Sequence, residues 1–190
     1  FYGLLTVIAA ALFSSKIILL KLAYTQGASA ETVMALRMSV ALPFFLALVM
    51  WIERRSERRL RPRECLLVGG TGLLGYYIAS YLDFLGAAYI STGMERMIIY
   101  TYPGVVFLLT VIVEKTPIRA GHYVSLVLCF CGVVLMSLGE LRVVPLPSLL
   151  LGGGLVLASA VAFGTYTYLS RGHIRRIGAL RFTGLGMSFA

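Results

Sequence analysis

Charged residues are scarce in this sequence. Only 13% of its 190 residues are charged and just 8 of them are acidic, whereas 59% are hydrophobic. A soluble fold has to cover its surface with polar groups, and so few charges cannot cover so much apolar side chain. The composition therefore excludes a soluble enzyme, a disordered tail and a secreted disulfide scaffold, and it indicates a membrane protein.

Reactive and metal-binding patterns are also sparse. The cysteines, Cys65, Cys129 and Cys131, lie in or beside apolar runs and have neither metal-ligand nor disulfide-framework spacing. The sequence contains no HExxH, G-x-S-x-G or P-loop motif. We therefore expect no metal, no cofactor and no enzymatic activity.

Long apolar runs dominate the chain. A bilayer core of about 30 Å needs about 20 apolar residues in a helix. Such runs predict six complete membrane-spanning helices and the start of a seventh. These are Gly3–Tyr24, Ala30–Ile52, Cys65–Ala87, Tyr89–Val113, Ala120–Gly139, Ser148–Leu169 and Phe182–Ala190. The expected fold is an all-α, polytopic transmembrane helix bundle.

Basic residues are concentrated in every second loop. The second loop, 53–64, carries six arginines, the fourth carries two basic residues and the sixth carries four. The first, third and fifth loops carry only Arg142. The positive-inside rule therefore predicts that the even-numbered loops are cytoplasmic. We attribute the net charge of +9 to this topology and expect no nucleic-acid partner.

The sequence repeats itself at an offset of 150 residues. GLLTVIAAALFSSKIILLK (3–21) aligns with GGLVLASAVAFGTYTYLSR (153–171), and ALRMSVA (35–41) aligns with GLGMSFA (184–190) after a slip of one residue. One repeat then holds five helices, and because five is odd, the second copy enters the membrane from the opposite side. We predict a first repeat at 1–139 and the beginning of a second, inverted repeat at 140–190, within a truncated ten-helix carrier.

Ionisable side chains inside the apolar runs are the first functional candidates, because charge in hydrocarbon is costly. Lys16, Arg37, Asp83 and Glu95 fall in the outer halves of their predicted helices. Asp83 needs a cation, which Arg37 or Lys16 could supply. The alternatives for Asp83 are a structural ion pair and a role in substrate or proton coupling. Glu95 with its neighbour Arg96 has the further alternative of an interfacial position.

A stripe of small residues indicates which way Asp83 faces. The stripe recurs at helical spacing and marks close contact between helices in membranes. It consists of Gly72, Gly75, Ala79, Asp83 and Gly86. The stripe overlaps LLVGGTGLLG (66–75), which matches the dinucleotide-binding fingerprint. Because that fingerprint requires a strand, a turn and a helix, we expect no nucleotide site in this apolar span.

Pro103 lies in the fourth predicted helix. Proline removes a backbone hydrogen bond, so we expect the helix to be kinked or opened there. Tyr100, Tyr77 and Tyr81 are candidates to line a cavity nearby by stacking and hydrogen bonding. The alternative for each tyrosine is packing or contact with lipid.

The segment from Ser80 to Glu140 resembles the third to fifth helices of EamA-type proteins in the drug/metabolite transporter superfamily. The resemblance is carried by Ala88, Ser91, Tyr100, Pro103, Glu114, Gly121 and Gly132, and Arg37 matches an arginine usual in the second helix. It implies ten helices in two inverted repeats, a central cavity, and export or exchange of small metabolites across the bacterial inner membrane. Asp83 and the Glu95–Arg96 pair depart from the family pattern, so the resemblance implies no role for them.

We therefore predict a secondary transporter that moves a small metabolite, amino-acid-like solute or drug across the cytoplasmic membrane by alternating access. Its expected partners are the lipid bilayer and the solute, and a homodimer is an additional hypothesis. The alternative is a non-transporting membrane protein of the same fold, such as a sensor or assembly subunit. The candidate substrate-binding residues are Lys16, Arg37, Tyr77, Tyr81, Asp83, Glu95, Tyr100 and Pro103.

Overall fold

A computed structural model describes residues 15, 18–56, 60–115, 120–141 and 144–190. Every regular element in these ranges is helical, which confirms the predicted all-α class for the described chain. The helices are α1 (18–25), α2 (Ala30–Arg55), α3 (Pro62–Ala87), α4 (Thr92–Glu114), α5 (Ala120–Glu140), α6 (Leu146–Ile177) and α7 (Ala179–Phe189). The helices α2, α3, α4 and α6 are long and apolar enough to cross a membrane. Most of the predicted span Gly3–Tyr24 lies outside the described residues.

Local signals in the sequence set the helix starts. The Ser29 Oγ accepts a hydrogen bond from the Thr32 N–H at the start of α2, at 3.3 Å. The Ser91 Oγ accepts one from the Met94 N–H at the start of α4, at 3.2 Å. Pro62 begins α3, where a residue without an N–H leaves no donor unpaired. These caps explain why the predicted and observed starts of the three helices agree to within a few residues.

The helix α4 is interrupted where Pro103 predicts it. Its first half is Thr92–Ile99 and its second half is Tyr102–Glu114. Pro103 stands in the first turn of the second half, where its missing N–H breaks no helical bond. At the interruption the buried Thr101 Oγ1 donates to the carbonyl of Ile98 at 2.7 Å, in addition to the bond from the Thr101 N–H.

The helix α6 extends beyond its predicted end. The predicted end of this span at Leu169, with the basic residues after it in a loop, is wrong. The helix continues to Ile177, and Gly178, with φ of 83°, separates it from α7. Arg175 and Arg176 lie in the last turn, where positive charge stabilises the negative end of the helix dipole.

The helix α6 is central in the bundle. It packs against the second part of α3 and both halves of α4, whereas α7 packs against the first part of α3 and against α2. One apolar cluster, around Val68, Phe182 and Leu185, lies near the loop 53–64. We call this the arginine-rich end. A second cluster, which includes Met34 and Phe84, lies at the opposite end of α2 and α3.

The small-residue stripe of α3 is buried, as predicted. A Cβ at Gly72 would lie 2.6 Å from the carbonyl oxygen of Gly186 in α7. A Cβ at Gly75 would overlap the ring of Tyr166 in α6. The stripe therefore packs the backbone of α3 against the backbone of α7 and against a ring of α6, two helices of the predicted second repeat. The fingerprint at 66–75 lies inside this helix, so the strand that a dinucleotide site requires is absent from these described residues.

A π-helical segment, Leu73–Ile78, occupies the middle of α3. A π-turn holds one more residue than an α-turn, so it shifts the side chains beyond it around the helix axis. Such segments are frequent at functional sites. No feature of the spacing in the sequence predicted this one.

Candidate functional site

A cavity of about 290 Å³ lies between α2, α3, α4 and α6. Its volume is near the lower end of the range for pockets that bind small molecules. Its wall is formed by Arg37, Gly75, Tyr76, Ala79, Ser80, Asp83, Ile99, Ser159, Phe163 and Tyr166. The wall thus combines one positive charge, one negative charge, hydroxyl groups and apolar rings.

Arg37 extends from α2 to the cavity. The guanidinium Cζ lies 5.8 Å from the centre of the Phe84 ring, within the range of a cation–π contact. The buried Nη1 has no hydrogen-bond partner among the described residues. Arginine stays charged in proteins, and a buried donor without an acceptor costs about 1–3 kcal/mol. The side chain can therefore offer a donor to an acceptor group that enters the cavity.

Asp83 brings the opposite charge to the same wall. The residue is 3% exposed on the buried stripe of α3. It lines the same cavity as Arg37. Asp83 is buried and Arg37 is partly buried, and two opposite charges in such a place lower the cost of burying each other. Arg37 and Lys16 were the two predicted cations for Asp83; Arg37 lines the same cavity, and Lys16 lies outside the described residues.

Two tyrosines form the side of the cavity that faces the arginine-rich end. The Tyr166 hydroxyl donates to the Tyr76 hydroxyl at 2.7 Å, and their ring centres are 5.2 Å apart. The ring of Phe163 lies 5.7 Å from that of Tyr166. Because Tyr166 is the donor in this bond, the Tyr76 proton remains available for another acceptor.

Ser159 fixes α6 against α3 at the level of the cavity. The side chain is 1% exposed, and its Oγ donates to the carbonyl of Ala79 at 2.6 Å. Hydroxyl bonds of this kind hold helices together in membranes, where apolar contact alone gives little preference between neighbours. The bond positions the α6 wall relative to Asp83.

Tyr77 and Tyr81 are absent from the lining of this cavity. Their rings stack on each other with centres 6.1 Å apart. The Tyr81 hydroxyl donates to Oε1 of Glu31 at 3.3 Å. Tyr77 is 40% exposed. Neither ring therefore forms part of the wall that Asp83 lines.

The other candidates are dispersed. Tyr100 and Pro103 line a second cavity of about 250 Å³, whose wall includes apolar side chains of α4 and α5. Glu95 is 0% exposed, and its Oε2 lies 3.4 Å from the Nε of Arg96. Glu95 contributes to the wall of neither cavity. Lys16 lies outside the described residues.

Six side chains in the wall were not predicted, namely Tyr76, Ser80, Ile99, Ser159, Phe163 and Tyr166. Tyr76 precedes Asp83 by seven residues, which is two helical turns, so the face of Asp83 gave a usable signal for it. Ser159, Phe163 and Tyr166 lie in α6, and only tertiary packing brings that helix to Asp83.

Comparison with known proteins gives a consistent family. Residues 1–138 match the EamA-like transporter family. The chain is 25% identical over 178 residues to "Uncharacterized transporter YcbK" of Bacillus subtilis (strain 168), covering 94% of this chain and 57% of that protein. It is 24% identical over 153 residues to "Uncharacterized transporter" of Archaeoglobus fulgidus, covering 80% of this chain and 51% of that protein. The chain thus spans about half the length of both relatives. No solved structure matches the chain.

Proposed function

Since this chain belongs to the EamA-like transporter family, we propose that the complete protein is a secondary transporter for a small polar metabolite. Transport would proceed by alternating access and draw its energy from a gradient of the substrate or of protons, because the sequence holds no P-loop for ATP. The cavity between α2, α3, α4 and α6 is the proposed solute site.

The observation that carries this proposal is the pair of opposite charges in the cavity wall. A guanidinium binds carboxylate oxygens well because its N–H groups match them in pairs. A carboxylate such as Asp83 attracts an ammonium group. The wall of Arg37 and Asp83 has no net formal charge, which favours a solute that carries both signs. An amino-acid-like metabolite has that chemistry.

The inverted-repeat arrangement belongs to the proposal, with repeats at 1–139 and from 140 onward. The contact between α2 and α7 supports it. Glu53 near the end of α2 pairs with Arg181 near the start of α7, so the two helices run in opposite directions where they meet. These helices also contain the matching segments ALRMSVA and GLGMSFA, and inverted copies are expected to run oppositely.

The proposed location is the bacterial inner membrane, with the even-numbered loops in the cytoplasm. The arginine-rich end is then the cytoplasmic end. The homodimer stays a prediction.

Solute flux in vesicles containing the complete protein tests the proposal. A panel of radiolabelled amino acids and other small metabolites identifies a carried solute. For that solute we expect Arg37→Gln and Asp83→Asn each to lower the initial rate by about 10- to 100-fold, because each loses a charge-assisted bond of about 1.5–3 kcal/mol. Arg54→Gln is the matched control, since Arg54 lies on the same helix and is exposed.

Two results would contradict the proposal in different ways. Flux that is unchanged in both variants would remove Arg37 and Asp83 from the solute site. An unaltered protein that carries none of the panel would instead favour the non-transporting alternative.

A further inference from the structure

A partly buried ion pair joins α2 to α7 at the arginine-rich end. The Nε and Nη2 of Arg181 donate to Oε1 and Oε2 of Glu53, each at 2.6 Å. Arg181 is 6% exposed, whereas the Glu53 side chain is 33% exposed. Paired bonds between guanidinium and carboxylate are directional as well as strong. The pair therefore fixes one position of α7 against α2.

A continuous column of rings connects this ion pair to the cavity. Phe182 follows Arg181 and is 0% exposed. Its ring centre lies 6.1 Å from that of Tyr166, which lines the cavity, and 6.1 Å from that of His173 on α6. The rings of Tyr166 and Phe182 therefore lie between the cavity and the ion pair.

The ring contacts and the ion pair differ in how strictly they fix the position of α7 against the rest of the bundle. Hydrophobic contacts between the rings are not directional, so the rings can shift relative to each other while they still exclude water. The ion pair holds only one arrangement. Because the Glu53 side chain is 33% exposed, separation of the pair leaves its carboxylate at the surface of the described bundle rather than buried within it. Such a pair is suited to break and form again.

We propose that Glu53 and Arg181 form a latch that keeps the cavity closed at the arginine-rich end, and that the pair separates when the cavity opens to that side. The latch rests on the proposed function to the extent that alternating access requires such an opening. It joins helices assigned to the first and second predicted repeats, which are the parts that would move relative to each other.

The accessibility of a cysteine in the cavity tests the latch directly. Ser80→Cys places a thiol in the cavity wall of the complete protein, after all native cysteines have been replaced. A membrane-impermeant maleimide is applied to vesicles from the side of the arginine-rich loop. We expect Glu53→Gln to raise the labelling rate about tenfold or more, which corresponds to about 1.4 kcal/mol in the closed-to-open equilibrium. Arg175→Gln is the control, because Arg175 is an exposed arginine at the same end, and we expect it to leave the rate unchanged.

A charge reversal separates the latch from general damage to the fold. We expect Glu53→Arg alone and Arg181→Glu alone to label rapidly, and the double variant to return toward the slow rate because the pair can form again. Labelling of Glu53→Gln at the unaltered rate would overturn the proposal, and so would a double variant that labels as fast as the single ones. The measurement needs no solute. If Glu53→Gln raises the labelling rate in a protein that shows no flux, the result contradicts transport but not the latch. If Glu53→Gln leaves the labelling rate unchanged in a protein whose flux depends on Arg37, the result contradicts the latch but not transport.

Discussion

Replacement of Gly72 by alanine measures how much the close approach of α3 and α7 contributes to stability. The new Cβ would lie 2.6 Å from the carbonyl oxygen of Gly186, whereas ordinary van der Waals contact begins near 3.4 Å. The nearest atoms belong to the backbone, so no side chain can rotate away. The helices would have to separate by about 1 Å, a gap that already forfeits a quarter to a half of the dispersion energy of each contact across it.

Gly70→Ala provides the matched control, since a Cβ at Gly70 in the same helix would have no atom within 4 Å. Both variants gain about 1 kcal/mol of helix propensity, which cancels in the comparison. We expect Gly72→Ala to have a free energy of unfolding about 1–3 kcal/mol below that of Gly70→Ala, the usual effect of overpacking. Thermal unfolding of the complete protein in detergent, followed by circular dichroism, measures the difference. Equal midpoints for the two variants would refute the close contact.

Three further predictions concern the cavity wall. Arg37→Lys keeps the charge but loses the planar pair of donors, so we expect the initial flux to fall about tenfold. A flux equal to that of the unaltered protein would show that charge alone suffices. Tyr166→Phe removes the bond to Tyr76 and keeps the ring, and thermal unfolding should show a loss of about 1 kcal/mol. Ser159→Ala removes the bond to the carbonyl of Ala79, and the same assay should show about 0.6 kcal/mol, since interhelical bonds in membranes are modest. A Ser159→Ala protein as stable as the unaltered one would mean that this bond adds nothing to helix packing.

Features that depend on local sequence were predictable. The apolar runs predicted the long helices, because the backbone groups of a segment in hydrocarbon have to be hydrogen-bonded within that segment. Pro103 predicted the interruption of α4, and the small-residue stripe predicted that Asp83 lies on a buried face of α3. Each of these follows from the residues of one helix and needs no knowledge of its neighbours.

Features that depend on packing between helices were not predictable. The tyrosines of α3 nominated for a cavity were Tyr77 and Tyr81, which stack on each other outside the wall, whereas Tyr76 lines it. The α6 wall could not be found because its contacts lie far along the chain. The end of α6 was misplaced because its basic residues resemble a loop in a hydropathy pattern, although they favour a helix C-terminus.

The length of α6 exceeds the thickness of the hydrocarbon layer. Its 32 residues extend about 48 Å at 1.5 Å each, against a bilayer core of about 30 Å. The part of α6 beyond the hydrocarbon layer carries Arg171, Arg175 and Arg176. Their side chains would then reach the phosphate layer. Anionic headgroups would hold that end at a fixed depth. The helix that carries Ser159 and Tyr166 would therefore keep a fixed depth in the membrane, although it is tilted. The other helices could then rotate about it.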